Sequence, residues 1–291
     1  MQKILDVLHV RPAGEDQFSG PAVPSNIQRT FGGQVAAQAL RAAQLTLDEQ
    51  GDAAAAQKVV HSLHSYFLAP SDSRVPLEIS VERLRDGRTY SQRLTRAFQN
   101  GQLKYLQISS FRIPRDRGPE HQVAAPDVVA PDQLVPGMSQ PSTARVLLGD
   151  WDEWDIRMVP EAGRDYSLPA PTGPGFRNIW FRNKAQDLPQ DPAVHAAALT
   201  YMTDMTLLRA SLINHPNMAV QLASLDHTIW FVRPPRVDDW LLYSQDSSSA
   251  HRGASLTRGR IFDRAGNLIA EVSQEGLTRG LRQPDAVPGW A

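Results

Sequence analysis

The segment LHSYFLAP (residues 63–70) returns in altered form as DHTIWFVRP (residues 226–234). Set side by side, His64 falls on His227 and Phe67 on Trp230, each pair 163 positions apart. Leu94-Thr95-Arg96 recurs as Leu256-Thr257-Arg258, 162 positions on, and the turn Asn100-Gly101 is answered by Gly266-Asn267. The identities are few, but their order is kept and their spacing nearly constant. That is the signature of an internal repeat, and it decides the fold: the chain is two similar halves.

Working outward, each half reads as a helix followed by strands. In the first half an Ala- and Leu-rich helix spans about residues 34–50, with strands at 59–68, 77–85, 90–99 and 102–112. Asn100-Gly101 between two alternating runs is a hairpin signal. In the second half a helix covers about 192–213, with Asp191 as its cap and Pro192 at its first position. Strands follow at 219–232, 240–247, 254–263 and 268–278. Between the halves, residues 113–178 hold ten of the 22 prolines and read as a long, partly ordered connector. The expected division is therefore a first unit over 1–112, a connector over 113–178 and a second unit over 179–291. Helix followed by antiparallel sheet is an α+β pattern. The alanines of the first helix let a sheet wrap closely around it.

Composition narrows the function classes. Thirty Lys and Arg stand against 31 Asp and Glu, a formal net charge of −1, so no bulk attraction to nucleic acid or anionic membrane is expected. There is no cysteine, which removes disulfides, thiolate metal sites and a cysteine nucleophile, and fits a reducing compartment. No apolar run approaches the roughly 18 residues of a membrane span, and the first residues lack a signal-peptide pattern. A soluble cytoplasmic protein is expected. The sequence has no G-x-S-x-G elbow, no H-E-x-x-H and no clustered His/carboxylate spacing, so neither a hydrolase serine nor a metal site has support. No cofactor is implied.

Three places could carry chemistry. In Phe31-Gly32-Gly33-Gln34, two glycines open a helix and free backbone N–H groups at its positive end, suited to a developing oxyanion or a phosphate. Equally, the glycines could serve only a tight turn. Asp204 lies with Ala197, Tyr201 and Leu208 on one mainly apolar helical face, where a carboxylate is costly unless hydrogen-bonded. A structural Asp or an edge position is the alternative. The matching face in the first half has Ala42. Asp226-His227 invites an acid–base reading, but neighbours on a strand point to opposite faces. With His64 in the matching place, a shared structural duty is the preferred reading. Ser224 and Gln274 are ordinary polar residues on composition alone.

The strings RTFGGQVAAQAL, HSLHSYFLAPSDSRVPLEISVERLRDGRTY, LDHTIWFVRP and VSQEGLTR resemble the acyl-CoA thioesterase II family, from about residue 28 to 279. The resemblance is thinnest over the connector. It implies a double hot-dog fold, two units that each wrap an antiparallel sheet around a helix. It implies hydrolysis of fatty acyl-CoA to a free fatty acid and CoA, without metal or cofactor. The family's catalytic Asp, Ser or Thr, and Gln fall on Asp204, Ser224 and Gln274, whose first-half counterparts are read as Ala42, His61 and Ser109. A water held by this trio, with Asp204 as general base, would attack the thioester, and Gly33 and Gln34 are the candidate oxyanion donors. Arg83-Leu84-Arg85 could meet the CoA phosphates. Hot-dog proteins associate edge to edge, so a homo-oligomer is expected. Two other readings stay open: a non-catalytic acyl-CoA-binding module, and a hot-dog enoyl-CoA hydratase using Asp226 and His227.

Overall fold

Asn100 and Gly101 have positive φ, 52° and 72°, the backbone that closes a two-residue hairpin without splaying its strands. They join β5 (Tyr90–Gln99) to β6 (Gln102–Arg112), the middle of the first half's sheet. The computed structural model describes residues 3–23, 29–51, 54–115, 117–134, 152–160, 175–215 and 218–281. The expected last ten residues and much of the connector lie outside these.

The remaining strands are β1 (Arg11–Gly14), β2 (Gln17–Gly20), β3 (Val59–Phe67), β4 (Leu77–Asp86), β7 (Trp154–Met158), β8 (Phe176–Asn183), β9 (Val220–Ser224), β10 (Asp226–Phe231), β11 (Leu241–His251), β12 (Ala254–Asp263) and β13 (Leu268–Gly280). They form one antiparallel sheet in the order β1-β2-β4-β5-β6-β3-β10-β13-β12-β11-β8-β7, with β9 beside β13. Read from its centre, the order is the same in both directions: β3 answers β10, β6 answers β13, and so on to the edges. The β3–β10 pair stitches the halves into one sheet. This is the double hot-dog, α+β architecture.

The edge hairpins are not legible in the sequence. β1 contains Pro12 and is exposed along its length, and β7 has only five residues. Short edge strands of this kind carry no clean alternation. β7 falls inside the expected connector, and β8 crosses its expected boundary at 178. Connector residues near Ala125, Val128 and Leu134 pack over the second half's outer face, on Trp180, Trp240, Leu242 and Phe262.

Inside the curved sheet lie α2 (Gly32–Asp48) and α3 (Pro192–Thr206); α1 (Ile4–Val7) is a short lead-in. Ala36, Ala37, Ala39, Ala42 and Ala43 of α2 are fully buried, so sheet and partner helix approach its backbone closely. A Cβ on Gly33 would collide with the Tyr201 carbonyl oxygen, which fixes how near the two helices come. The expected second helix is continuous to 213. Instead α3 tightens after Thr206 into a 3₁₀ segment, Leu207–Leu212.

The strand expected at 219–232 is also broken, at Leu225, whose N–H goes to the Glu275 carbonyl. The first half has the same irregularity at His61, where the β3–β6 register slips between Val60 and Ser62. Matching the two bulges pairs Val60 with Ser224, Leu63 with His227 and Phe67 with Phe231, a spacing of 164. The sequence alignment is thus one residue out along this strand. One residue matters, because a slip of one exchanges the two faces of a strand. His64 is exposed, against Trp230, whereas His227 is fully buried like Leu63. The two histidines share no duty, and the counterpart of Ser224 is Val60 rather than His61.

Candidate active site

Asp204 sits on the last turn of α3 and is only 9% exposed. A carboxylate so placed needs partners, and it has them. The Gln274 amide on β13 donates to Asp204 Oδ1 at 2.7 Å, and the Ser224 hydroxyl at the end of β9 donates to the same oxygen at 3.1 Å. Gln274 Nε2 also donates to Ser224 Oγ at 2.5 Å. Three residues spread over 70 positions of sequence therefore meet at one oxygen of Asp204. Ser224 is the last residue of β9, paired with Gly276 just before the break at Leu225.

The second carboxylate oxygen looks the other way. A Cβ on Gly32 would lie 2.6 Å from Asp204 Oδ2 and 2.9 Å from the Phe67 ring. Only a glycine lets the first turn of α2 come this close. Phe31, the residue before that turn, supplies no side-chain cap. Gln34 N–H turns back to the Phe31 carbonyl, and its side chain donates to the Pro21 carbonyl. Gly32 and Gly33 N–H have no acceptor among the described residues. Of the two residues singled out at this helix start, Gly33 thus keeps an open N–H and Gln34 does not. The glycine that lines the cavity is Gly32.

That cavity has a volume of about 360 Å³. Asp204, Ser224, Phe31 and Gly32 form one end. Val35, Phe67, Met205, Leu208, Leu222 and Leu277 make an apolar body, and Arg29, Lys104 and Arg209 bring positive charge. Burial lowers the pKa of Arg209. Arg83 is elsewhere, held in a bidentate pair by Asp16, so the cations at the cavity are not those of the Arg83-Leu84-Arg85 run. Burial, and then the nearby Asp204 charge, push the Tyr105 and Tyr243 phenols well above their usual range, so both stay neutral, Tyr105 as a wall of the cavity.

Asp226 and His227 do not converge. Asp226 accepts from Glu275 N–H at 2.6 Å on the outer side. His227 points inward and shares a 2.9 Å hydrogen bond between Nε2 and Thr203 Oγ1. Burial lowers its pKa, with the Asp204 charge and the Gln274 side chain opposing, so the ring is neutral. It lies against the Asp204–Gln274 pair. The sequence reading missed this placement because it set His227 beside the exposed His64.

A family model described as acyl-CoA thioesterase matches residues 172–277, and one described as acyl-CoA thioesterase N-terminal domain matches residues 21–112. Acyl-CoA thioesterase 2 of Haemophilus influenzae is 31% identical over 288 residues, covering 96% of this chain and 98% of its own. The crystal structure of acyl-CoA thioesterase II TesB2 from Mycobacterium marinum is similar with a TM-score of 0.79 at 38% identity, covering 96% of this chain and 99% of its own. A hot-dog-fold protein of unknown function from Alicyclobacillus acidocaldarius shares the fold at a TM-score of 0.76 and 19% identity, over 97% of this chain and 99% of that one.

Proposed function

The chain belongs to the acyl-CoA thioesterase II family and is a thioester hydrolase, and from that premise we propose that it cleaves fatty acyl-CoA with Asp204 as general base. The observation that carries this reading is the division of labour on one carboxylate. Ser224 and Gln274 both donate to Oδ1, while Oδ2 faces Gly32 at the cavity. Oδ2 takes a proton from a water as its oxygen attacks the thioester carbonyl. The carbonyl oxygen becomes negative beside the helix start, where we assign Gly32 and Gly33 N–H as its donors. The tetrahedral intermediate collapses, the C–S bond breaks, and the thiolate leaves with the proton that Asp204 holds. No covalent enzyme intermediate is needed.

His227 is a positioning residue in this scheme. Its Nδ1 and the Gln274 side-chain carbonyl are both buried without a partner among the described residues. In the Nδ1–H tautomer, with the Thr203 hydroxyl turned from the Thr200 carbonyl to donate to Nε2, the ring N–H satisfies that carbonyl and fixes the Gln274 amide with its Nε2 toward Asp204. The acyl chain lies along the apolar body of the cavity, and Arg29, Lys104 and Arg209 are the cations for the CoA phosphates. No helix among the described residues is long and apolar enough to cross a membrane, and we assign the cytoplasm. Tyr66, Ile108 and Trp230 are exposed together on the outer face at the junction of the halves, and we read them as a contact of a homo-oligomer.

The test is thiol release from acyl-CoAs by Asp204→Asn. The chain has no cysteine, so a thiol reagent reports CoA alone. A loss of about 10²–10⁴-fold with the fold kept supports the base. Near-normal turnover rejects it.

A further inference from the structure

A second cavity, of about 170 Å³, repeats the first wall by wall. Leu222, Ala223, Ser224 and Leu225 of the active cavity correspond, 164 positions back, to Lys58, Val59, Val60 and His61. The stretch 67–71 corresponds to 231–235, and Leu277 to Arg112 across the paired strands β13 and β6. The start of α2 is answered by the start of α3.

Nothing here can hydrolyse a thioester. Counted from the matching helix caps, Phe31 and Asp191, α2 sets Gln44 where α3 has Asp204, and Ser109 stands for Gln274 across the paired strands β6 and β13. The helix start is closed as well. Asp191 accepts from Ala193 N–H, Pro192 has no N–H, and the Val194 and His195 N–H groups return to the Asp191 carbonyl.

Yet the cavity is not filled, and cations stand on its walls. At three matched positions, Leu222, Leu277 and Ala69 of the active cavity are replaced by Lys58, Arg112 and Arg233. Lys58 is 5% exposed. Its ammonium donates to the Gly87 carbonyl and to Ser91 Oγ, both neutral, and it makes no ion pair among the described residues. Asp86 hydrogen-bonds the same Ser91 but is already paired with Arg93, so it offsets the buried Lys58 charge only in part. Arg112 has no side-chain partner among the described residues. Among the described residues, Arg233 donates only to the Leu268 carbonyl. Two carboxylates line the cavity, and both are exposed and engaged: Asp48 accepts from Gln44, and Asp191 caps α3. His61 shares a hydrogen bond with Ser110, and burial and then Arg112 lower its pKa. The fixed groups thus leave positive charge in excess.

We infer that this second cavity binds a small oxyanion, a carboxylate or phosphate group on a short apolar body, between Lys58, Arg112 and Arg233. Val59, Val60, Phe231 and Pro234 take the apolar part. The inference stands on the repeat and on cations compensated only in part, and does not rest on the catalytic assignment.

The test is calorimetric titration of the full chain with butyrate, octanoate and inorganic phosphate, repeated on Arg112→Met and Lys58→Met. Arg112→Met breaks no side-chain hydrogen bond or ion pair among the described residues and decides the matter alone if Lys58→Met fails to fold. The expected result is saturable binding of at least one probe, weakened by salt and by about tenfold or more in Arg112→Met, with thioester hydrolysis unchanged. Affinity rising from butyrate to octanoate identifies an alkyl carboxylate as the ligand class, and phosphate binding alone identifies a phosphate. No saturable binding of any probe overturns the inference. So does binding that is the same in wild type and Arg112→Met, because the ligand then lies elsewhere.

Discussion

The two cavities of this molecule are built from the same walls and differ in a handful of side chains. One has a carboxylate held by Ser224 and Gln274 and faces a helix start with open N–H groups. The other has Gln44 and Val60 in the matching places and faces a helix start already closed by Asp191 and Pro192. Catalysis of this kind needs a base and a place for negative charge at once, and only one half supplies both. On the proposed mechanism the two halves share a container and only one carries the chemistry; at three matched positions the second has cations where the first has Leu222, Leu277 and Ala69.

The comparison can be broken most strongly at Gly32. A Cβ there would press on Asp204 Oδ2 and Phe67, so Gly32→Ala should lower kcat by about 10²-fold through misplacement alone, with the far-ultraviolet circular dichroism unchanged. A variant with wild-type kcat would separate the α2 start from the chemistry. Ala42→Asp, at the position that the sequence alone sets against Asp204, places a carboxylate in the apolar core of the half whose cavity faces a closed helix start. It should create no activity and should cost about 3 kcal/mol or more of stability in chemical denaturation. A second active site appearing in that variant would mean that the carboxylate alone distinguishes the halves.

How much of this was readable in the chain depends on where local signals are strong. The Ala-rich helix, the Asn100-Gly101 turn and the strands at 90–99 and 102–112 stand where the residues place them. The edge strands β1 and β7 were hidden by Pro12 and by shortness. The internal alignment slipped by one because both halves carry a bulge, at His61 and Leu225, which periodicity does not mark. Asp204 was conspicuous as a carboxylate on an apolar helical face. Ser224 and Gln274 were not, because what makes them special is meeting Asp204 across the sheet. Lys58 and Arg112 gave no signal at all until the two cavities could be laid over each other.

Smaller effects sharpen the picture. Burial lowers the pKa of His227 and His195, so the unfolded chain binds protons that the folded chain refuses. Stability should therefore fall as pH drops below about 6.5. Asp72 and Asp238, held at about 2 chiefly by hydrogen bonds from Arg74 and Arg236, act only lower, below about pH 4. His227→Gln should flatten the fall of melting temperature between pH 7 and 5, and an unchanged slope would remove His227 from this account. Smallest is Asp191→Ala, which opens the start of α3 at a cost of about 1 kcal/mol and should leave turnover untouched.

The central claim is that turnover belongs to one cavity of the two. Thiol release from acyl-CoAs of graded chain length, measured for Asp204→Asn beside Arg112→Met, tests it directly. Collapse across all chain lengths in the first variant, with wild-type rates in the second, is the expected result. Turnover surviving Asp204→Asn, or lost on Arg112→Met, would contradict it.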